Sequence, residues 1–270
     1  MVRRIGLIGF GAIGQSIAAH LQQARTSDIQ LAAVCVRPGK SENVPRSLPA
    51  GAIVTHSIEQ MLRCRPDVVV EAAGQNAVVQ SAEEVLRAGL DLFVLSLGAL
   101  ADPALRERLI SAASLGRGGI CIPAGALAGF DGLLSLRKAG LKSVTYTSIK
   151  PPRAWRGTPA DHVFDLDALQ ERTVVFQGNA AEAALNYPKN ANLAAAVALA
   201  GIGFEATRVE LIADPRATGN TGTVTALGEM ATLDLSVSST SLGDNPKTSA
   251  ITGLSVLAAI ENRSAALRFV

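Results

Sequence analysis

Three glycines near the start of the chain have the spacing of a phosphate-binding turn. They lie in Gly9-Phe10-Gly11-Ala12-Ile13-Gly14, a G-x-G-x-x-G pattern. In such a turn the first glycine permits a tight bend, the second lets the backbone approach a pyrophosphate, and the third lets a helix pack closely on a strand. The following helix offers amide donors and the positive end of its dipole. The six residues therefore predict a nicotinamide dinucleotide site; the alternative is a turn with no ligand.

The elements needed to position this turn precede and follow it. An apolar run, Ile5 to Ile8, ends at the motif, and apolar residues then recur every fourth position from Ile13 to Leu21, which is typical of a buried strand leading into a helix. Later apolar runs at 31–36, 67–73, 92–95 and 120–122 are continuous, as in a parallel sheet covered on both faces. Residues 1–125 are thus predicted to form an α/β Rossmann domain with a doubly wound parallel sheet.

The residues after the second strand bear on the choice of cofactor. NAD-selective sites usually place Asp or Glu there, about 20 residues after the motif, to bind the ribose hydroxyls. This chain has Arg37-Pro38-Gly39-Lys40 instead. An arginine can pair with a 2′-phosphate, so the chain is expected to accept NADP, either alone or together with NAD. Alternatively, Arg37 is a solvated loop charge.

The pattern changes after Gly125. Apolar and polar residues alternate at 144–149, 173–177, 209–212, 223–226 and 232–237, which predicts half-buried antiparallel strands. An alanine-rich helix from Asn192 to Ala200 interrupts them. Residues 126–243 are therefore predicted to form a second, mixed α+β catalytic domain.

The last segment predicts a helix over 244–270 that packs back on the first domain. Asp244 or Asn245 can cap it, and Pro246 suits the first helical position. Ile251, Leu254 and Ala258 would form its apolar stripe.

Composition excludes several classes of partner. The chain has 25 Lys plus Arg and 23 Asp plus Glu, with no long run of one sign, so nucleic acid and acidic membrane surfaces are not expected. The longest uncharged apolar stretch, Leu193 to Phe204, is shorter than the ~20 residues of a membrane span. Cys35, Cys64 and Cys121 lack C-x-x-C spacing and suit a reducing cytoplasm. No paired His or Cys spacing indicates a metal site.

Six further segments, taken in order, resemble the L-aspartate dehydrogenase family. They are Glu71-Ala72-Ala73-Gly74-Gln75, Ser96-Leu97-Gly98-Ala99-Leu100-Ala101-Asp102, Pro123-Ala124-Gly125-Ala126, Lys150-Pro151-Pro152-Arg153-Ala154-Trp155, Pro188-Lys189-Asn190-Ala191-Asn192 and Asn245-Pro246-Lys247-Thr248-Ser249. The resemblance covers nearly the whole chain. It implies NAD(P)-dependent conversion of L-aspartate, through iminoaspartate, to oxaloacetate and ammonia in a homodimer or larger homo-oligomer, with a link to pyridine nucleotide biosynthesis.

The resemblance also implies residue roles. Ala126 and Asn192 would contact the dinucleotide, together with further residues of the matching segments, namely Ala73, Gly74, Gln75, Ala99 and Asn245. Asn192 is equally compatible with a helix cap. A dicarboxylate substrate needs cationic donors, for which Lys150 and Lys247 are the candidates, with Thr248 beside them; Lys189 is a weaker one. Each lysine has solvent exposure as its alternative.

The departure from the family lies at Gly222. The resemblance implies a catalytic histidine at this position, which would move protons at the α-carbon. Glycine offers no proton. Of the histidines in the sequence, His20 and His56 are expected to be structural or solvated, and His162 is a weak alternative base.

Three explanations fit the glycine: a deliberate substitution to trap a complex or enlarge the pocket, which the otherwise close match favours; a natural variant with different chemistry; or a reassigned base. The functional hypothesis is an aspartate dehydrogenase with impaired or altered activity. The alternatives are a reductase of the same architecture with a homoserine-like or dihydrodipicolinate-like substrate, and a nucleotide-binding sensor without catalysis.

Overall fold

The computed structural model describes residues 3–23, 28–40, 44, 48–243 and 245–269. The chain divides into two compact units, Met1–Pro123 and Ala124–Val270. The predicted division lay at residue 125. That the last helix packs on the first domain stays a prediction.

The first unit is built on six parallel strands in the order β3-β2-β1-β4-β5-β6. The strands are β1 (Arg3–Ile8), β2 (Ile29–Cys35), β3 (Ile53–Thr55), β4 (Val68–Glu71), β5 (Asp91–Val94) and β6 (Ile120–Cys121). The helices are α1 (Ala12–Gln23), α2 (Ile58–Arg63), α3 (Gln75–Arg87) and α4 (Pro103–Gly116), with a 3₁₀ turn at Leu97–Ala101. This strand order is that of the doubly wound dinucleotide fold, so the predicted Rossmann sheet is confirmed.

The sequence reasons for these elements are visible in their burial. Val68, Val69 and Val70 are at most 2% exposed, as expected for a central strand covered on both faces. Helix α3 buries Val78, Ala82, Val85 and Leu86, a stripe with helical spacing. Strand β3 was not predicted, because it is only three residues long and only one of the three is buried.

The second unit contains a five-stranded mixed sheet in the order β11-β10-β7-β9-β8. Its strands are β7 (Leu141–Lys150), β8 (Thr173–Asn179), β9 (Arg208–Ala213), β10 (Asn220–Gly228) and β11 (Thr232–Ser239), and a separate hairpin joins β12 (Ser241–Leu242) to β13 (Asn245–Ser249). The helices are α5 (Phe130–Ala139), α6 (Ala160–Val163), α7 (Ala180–Asn186), α8 (Asn192–Ala200) and α9 (Thr252–Ser264), with a 3₁₀ turn at Pro152–Trp155. The mixed second domain is confirmed.

Two details of that unit differ from expectation. Strands β7 and β9 pair in parallel, so the prediction of antiparallel strands is wrong for this pair; the long connection through β8, α7 and α8 lets the chain re-enter the sheet in the same direction. Asn192 is the first residue of α8 and Ala191 stands at the cap position. The helix-cap interpretation of Asn192 is therefore wrong.

The predicted helix start near residue 245 is also wrong. Residues 245–249 form β13, and α9 begins at Thr252; Asp244 lies outside the described residues. The Asn245 side chain accepts a hydrogen bond from the Lys247 amide and donates one to Thr248 Oγ1, which holds this segment out of a helix. Because the helix starts later, its buried face consists of Gly253, Val256, Leu257 and Ile260, and the predicted stripe residues Ile251 and Ala258 are exposed.

Candidate active site

The glycine turn between β1 and α1 has the close approaches that its spacing predicts. Gly9 has φ +93°, and a Cβ atom placed on it would lie 2.6–2.9 Å from atoms of Ala73. A Cβ on Gly14 would lie 2.6 Å from the carbonyl oxygen of Gly9, whereas one on Gly11 would meet nothing within 4 Å. Gly9 and Gly14 are thus required by packing, and the open side of Gly11 leaves the backbone free to meet a pyrophosphate.

Glu71 at the end of β4 holds the neighbouring turn in place. Its side chain is 1% exposed, and its carboxylate accepts hydrogen bonds from the amides of Ala73 (2.8 Å), Gly74 (2.8 Å) and Ser96 (3.0 Å) and from the Ser96 hydroxyl (2.9 Å). Burial raises the pKa of Glu71, and these donors oppose that shift. The carboxylate therefore ties the ends of β4 and β5 together and fixes Ala73 against Gly9.

Other predicted cofactor residues lie around the same turns. Phe10 is half-buried, and its carbonyl accepts a hydrogen bond from the Gln15 side chain. Ala12 and Ile13 begin α1, and Gln75 begins α3. Ala99 is buried in the 3₁₀ turn after β5. All follow the carboxyl ends of parallel strands, the edge at which this fold binds ligands.

Arg37 lies two residues beyond β2 at this same edge. The Gly9 amide donates to the carbonyl of Cys35 (2.9 Å), so the end of β2 adjoins the glycine turn. Arg37 is exposed. His56, after β3, approaches the carbonyl of Val36 with Nδ1 at 3.0 Å. A carbonyl can only accept, so Nδ1 carries the hydrogen in this bond.

The second unit brings two predicted cofactor residues close together. Gly125 has φ +66°, and a Cβ on it would stand 3.0 Å from Leu193 Cδ2. The Gly125 amide donates to the Ser255 hydroxyl at 3.0 Å. Ala126, which is buried, and Asn192, which is half-buried, flank this contact.

Lys150 at the end of β7 is a buried ammonium. It is 8% exposed, its Nζ donates to the carbonyl oxygen of Lys247 at 3.1 Å, and it lies 5.9 Å from the centre of the Trp155 ring. Burial, followed by repulsion from Lys247, lowers the pKa of Lys150 to about 8. Among the described residues no carboxylate forms an ion pair with it. An ammonium here needs an anion that the described part of the chain does not provide.

Strand β13 supplies the other predicted substrate residues. Lys247 is half-buried and its Nζ donates to the carbonyl of Arg156 at 2.6 Å. Burial, followed by repulsion from Lys189, lowers the pKa of Lys247, while Asp161 opposes this. Thr248 accepts a hydrogen bond from Asn245. Lys150, Lys247, Thr248 and Asn245 therefore form one cluster.

Gly222 lies in the middle of β10, buried, and pairs with Ser148 of β7. A Cβ placed on Gly222 would lie 3.3 Å from Leu127 Cδ1 and 3.4 Å from the Tyr146 hydroxyl. A side chain at this position would therefore require Leu127 to shift by a few tenths of an ångström, whereas Tyr146 would remain in ordinary van der Waals contact with it.

Two buried asparagines near the end of the sheet carry polar atoms without a hydrogen-bond partner. In Asn220 both side-chain atoms, Nδ2 and Oδ1, are unsatisfied, and in Asn190 the Oδ1 atom is. Asn220 precedes Thr221, which pairs with Ile149 next to Lys150. Buried amides left unpaired cost about 1–3 kcal/mol, so the Asn220 amide favours a polar ligand or an ordered water beside Lys150.

The remaining candidates lie on the surface. His20 is exposed on α1 and its Nδ1 approaches the Ser16 carbonyl; His162 is exposed on α6, and Lys189 is exposed. Sequence reasoning missed Glu71, His56, Tyr146 and Asn220 as site residues. Two of them could have been found from their places in the sequence. Glu71 ends β4 and His56 follows β3, both at the carboxyl edge of the parallel sheet, where this fold binds ligands.

Two kinds of feature are absent from the described ranges. None of their helices has the length and apolar character to cross a membrane. They also contain no group of three His, Cys, Asp or Glu side chains arranged to hold a metal ion.

Comparison with known proteins gives consistent matches to both units. Residues 131–263 match the family described as "Aspartate dehydrogenase, C-terminal", and residues 9–123 match "Homoserine dehydrogenase, NAD binding domain". L-aspartate dehydrogenase 2 of Bordetella bronchiseptica is 43% identical and is covered over 98% of both chains. L-aspartate dehydrogenase of Cupriavidus necator is 40% identical over 97% of this chain and 98% of its own.

Solved structures agree. Aspartate dehydrogenase from Thermotoga maritima superposes with a TM-score of 0.76 at 25% identity, covering 99% of both chains. A hyperthermophilic archaeal homoserine dehydrogenase in complex with NADPH, at 12% identity and a TM-score of 0.58 over 96% of this chain and 97% of its own, shares the fold alone.

Proposed function

Because the chain belongs to the L-aspartate dehydrogenase family, we propose that it interconverts L-aspartate and oxaloacetate plus ammonia with NAD or NADP. The buried, unneutralised ammonium of Lys150 is the observation that carries the proposal for this chain. A substrate carboxylate supplies the missing counter-charge. Asn220, with both amide atoms unpaired, offers hydrogen bonds to the same ligand.

The spacing along the sheet suits a four-carbon dicarboxylate. Residues 148 and 150 lie on one face of β7, as Asn220 and Gly222 do on β10, because alternate residues share a face. Two residues along a strand span roughly 6.6 Å. A carboxylate held at Lys150 and Asn220 therefore places the α-carbon of aspartate toward Gly222, where the proton transfers take place.

The dinucleotide is held by the glycine turn of the first unit, whose open Gly11 backbone and restricted Gly9 fit a pyrophosphate. When bound, it accepts or donates the hydride. Glu71 positions Ala73 and Gly74, and Arg37 is proposed to pair with the 2′-phosphate of NADP. Ala126 and Asn192 are proposed to contact the dinucleotide, as the family resemblance implies.

Gly222 is proposed to limit the rate. The family resemblance implies a histidine here, and a positioned acid or base contributes typically 10²–10⁴-fold. Gly222→His is therefore expected to raise kcat for aspartate oxidation. Because Leu127 crowds the position, the same substitution is also made together with Leu127→Ala. An unchanged kcat in both variants would show that the position is not catalytic.

The decisive assay follows NADH and NADPH oxidation with oxaloacetate and ammonia, with and without added imidazole. Turnover that needs both ammonia and oxaloacetate supports the proposal. Stimulation of that turnover by imidazole would show that the missing acid–base group is the one expected at position 222. Tight NADPH binding with no turnover on any amino or keto acid would instead indicate a nucleotide-binding sensor. Turnover of a homoserine-like or dihydrodipicolinate-like substrate alone would indicate the other reductase.

Cellular context completes the proposal. We propose a cytoplasmic homo-oligomer in which ammonia is the second small substrate. Light scattering coupled to size-exclusion chromatography measures the assembly, and a monomeric mass would contradict that part.

A further inference from the structure

The Tyr146 hydroxyl borders the position that a side chain on residue 222 would occupy. It would lie 3.4 Å from a Cβ on Gly222, and ring atom Cε2 would lie 3.5 Å away. Tyr146 and Gly222 are on adjacent strands, β7 and β10, and their register is fixed by the pairs Gly222–Ser148 and Val224–Tyr146. The phenol hydroxyl therefore lies directly beside the space that a side chain at position 222 would enter.

The surroundings keep this hydroxyl in its neutral, proton-bearing form. Tyr146 is 1% exposed, and the groups near its hydroxyl, Leu127, Gly222 and Ser148, carry no charge. Burial raises the pKa of Tyr146 to about 12, and a hydrogen bond with the Ser148 side chain opposes part of the shift. Two lysines alternate on the same face of β7, the exposed Lys142 and the buried Lys150, and the Lys150 ammonium donates to the Lys247 carbonyl of β13.

We propose that the Tyr146 hydroxyl is the acid–base group of this chain, serving the keto carbon from the side on which Gly222 has no side chain. This rests on the proposed function. The phenol donates its proton to the keto oxygen of oxaloacetate as the nitrogen lone pair of ammonia forms the C–N bond. The phenolate then takes a proton from the new ammonium nitrogen, which leaves a neutral carbinolamine and restores the phenol. No electrons are exchanged in this step.

A matched pair of variants tests the assignment, because the sequence contains only two tyrosines. Tyr187 is also buried, and its hydroxyl donates to the carbonyl of Val175 at 3.1 Å. Tyr146→Phe is expected to lower kcat by 10²–10⁴-fold while KM for oxaloacetate and Kd for NADPH stay within about twofold. Tyr187→Phe is expected to leave kcat unchanged.

The outcomes distinguish the proposed function from the role proposed for Tyr146. Absence of wild-type turnover with oxaloacetate and ammonia overturns the proposed function and this inference with it. Wild-type turnover with an unaltered kcat in Tyr146→Phe overturns the inference alone. A loss confined to KM, with kcat retained, assigns Tyr146 a structural role and also overturns it.

A double-mutant comparison adds a readout that packing alone would not give. In the Gly222→His background the imidazole provides a second acid–base group, so Tyr146→Phe is expected to cost far less there than in the wild type. Equal losses in both backgrounds would contradict a shared role.

If Tyr146→Phe fails to fold, fluorination replaces deletion. Growth of the Tyr187→Phe variant on 3-fluorotyrosine labels Tyr146 alone. The fluorinated phenol is more acidic, so the alkaline limb of the kcat profile is expected to move to lower pH; a profile that does not move overturns the assignment.

Discussion

Replacement of Lys150 by methionine is expected to stabilise the second unit while abolishing dicarboxylate binding. The wild-type ammonium is buried without a carboxylate partner among the described residues, and its pKa lies at about 8 instead of 10.5. That lowering corresponds to about 3 kcal/mol of unfavourable burial. Loss of the charged hydrogen bond to Lys247 costs the variant about 1.5–3 kcal/mol, so the net gain at pH 7 is expected to be about 1 kcal/mol.

The pH dependence is the sharper expectation. Below pH 8 both folded and unfolded wild-type states carry the Lys150 proton, so the whole burial cost is present. Between pH 8 and 10.5 the unfolded state binds more protons, and the free energy of unfolding therefore rises with pH. Above pH 10.5 the cost is gone. The wild type should gain about 3 kcal/mol relative to Lys150→Met between pH 7 and pH 10.5 or above.

Urea denaturation followed by tryptophan fluorescence measures this difference. Trp155 is the only tryptophan, is fully buried and lies in the second unit, so its signal follows that unit. Lys142→Met, at an exposed position on the same strand, is the matched control and should stay within about 0.5 kcal/mol of wild type. If the difference in unfolding free energy between Lys150→Met and the wild type does not change with pH, Lys150 is not an uncompensated buried charge. Retained stabilisation by oxaloacetate in that variant would refute the carboxylate contact.

Three further changes concern the first unit. Arg37→Ala should raise KM for NADPH about tenfold and leave KM for NADH unchanged; equal effects on both cofactors would leave Arg37 a surface charge. Glu71→Gln turns amide hydrogens toward the donors of Ala73 and Gly74, so thermal denaturation should show a loss of about 2 kcal/mol and titration a weaker NADPH affinity; wild-type values for both would contradict the anchoring role. Gly11→Ala should weaken NADPH binding without changing stability, whereas Gly9→Ala should lower stability by more than about 1 kcal/mol as well; identical behaviour of the two would contradict the assigned contacts.

The fold was predictable where one physical requirement dominated the local sequence. Continuous valine runs such as 68–70 indicate a strand buried on both faces, and the glycine spacing at 9, 11 and 14 follows from the close approaches seen at Gly9 and Gly14. The helix prediction was wrong for residues 245–249 because Asn and Pro are common both at helix starts and in turns. Residues 245–249 form a strand because the Asn245 side chain bonds to the neighbouring residues and the segment pairs with β12.

The sequence predicted site residues only where a single residue stood out, either as a charge in an apolar segment or as a departure from the family at a catalytic position. Lys150 and Lys247 stood out as cations in apolar or short polar segments, and they do lie together. Tyr146 gave no such signal, because an aromatic residue in an alternating strand predicts core packing. Its relation to Gly222 depends on the register of β7 against β10, which spans more than seventy residues of sequence and is set by the whole sheet.

The bond from Lys150 to the carbonyl of Lys247 joins residues 97 positions apart. During synthesis the sheet strand that carries Lys150 leaves the ribosome long before β13 exists. The anion-binding corner therefore cannot form before β13 has been made, and the sheet that carries Lys150 is likewise incomplete until β11, just ahead of β13, has been made.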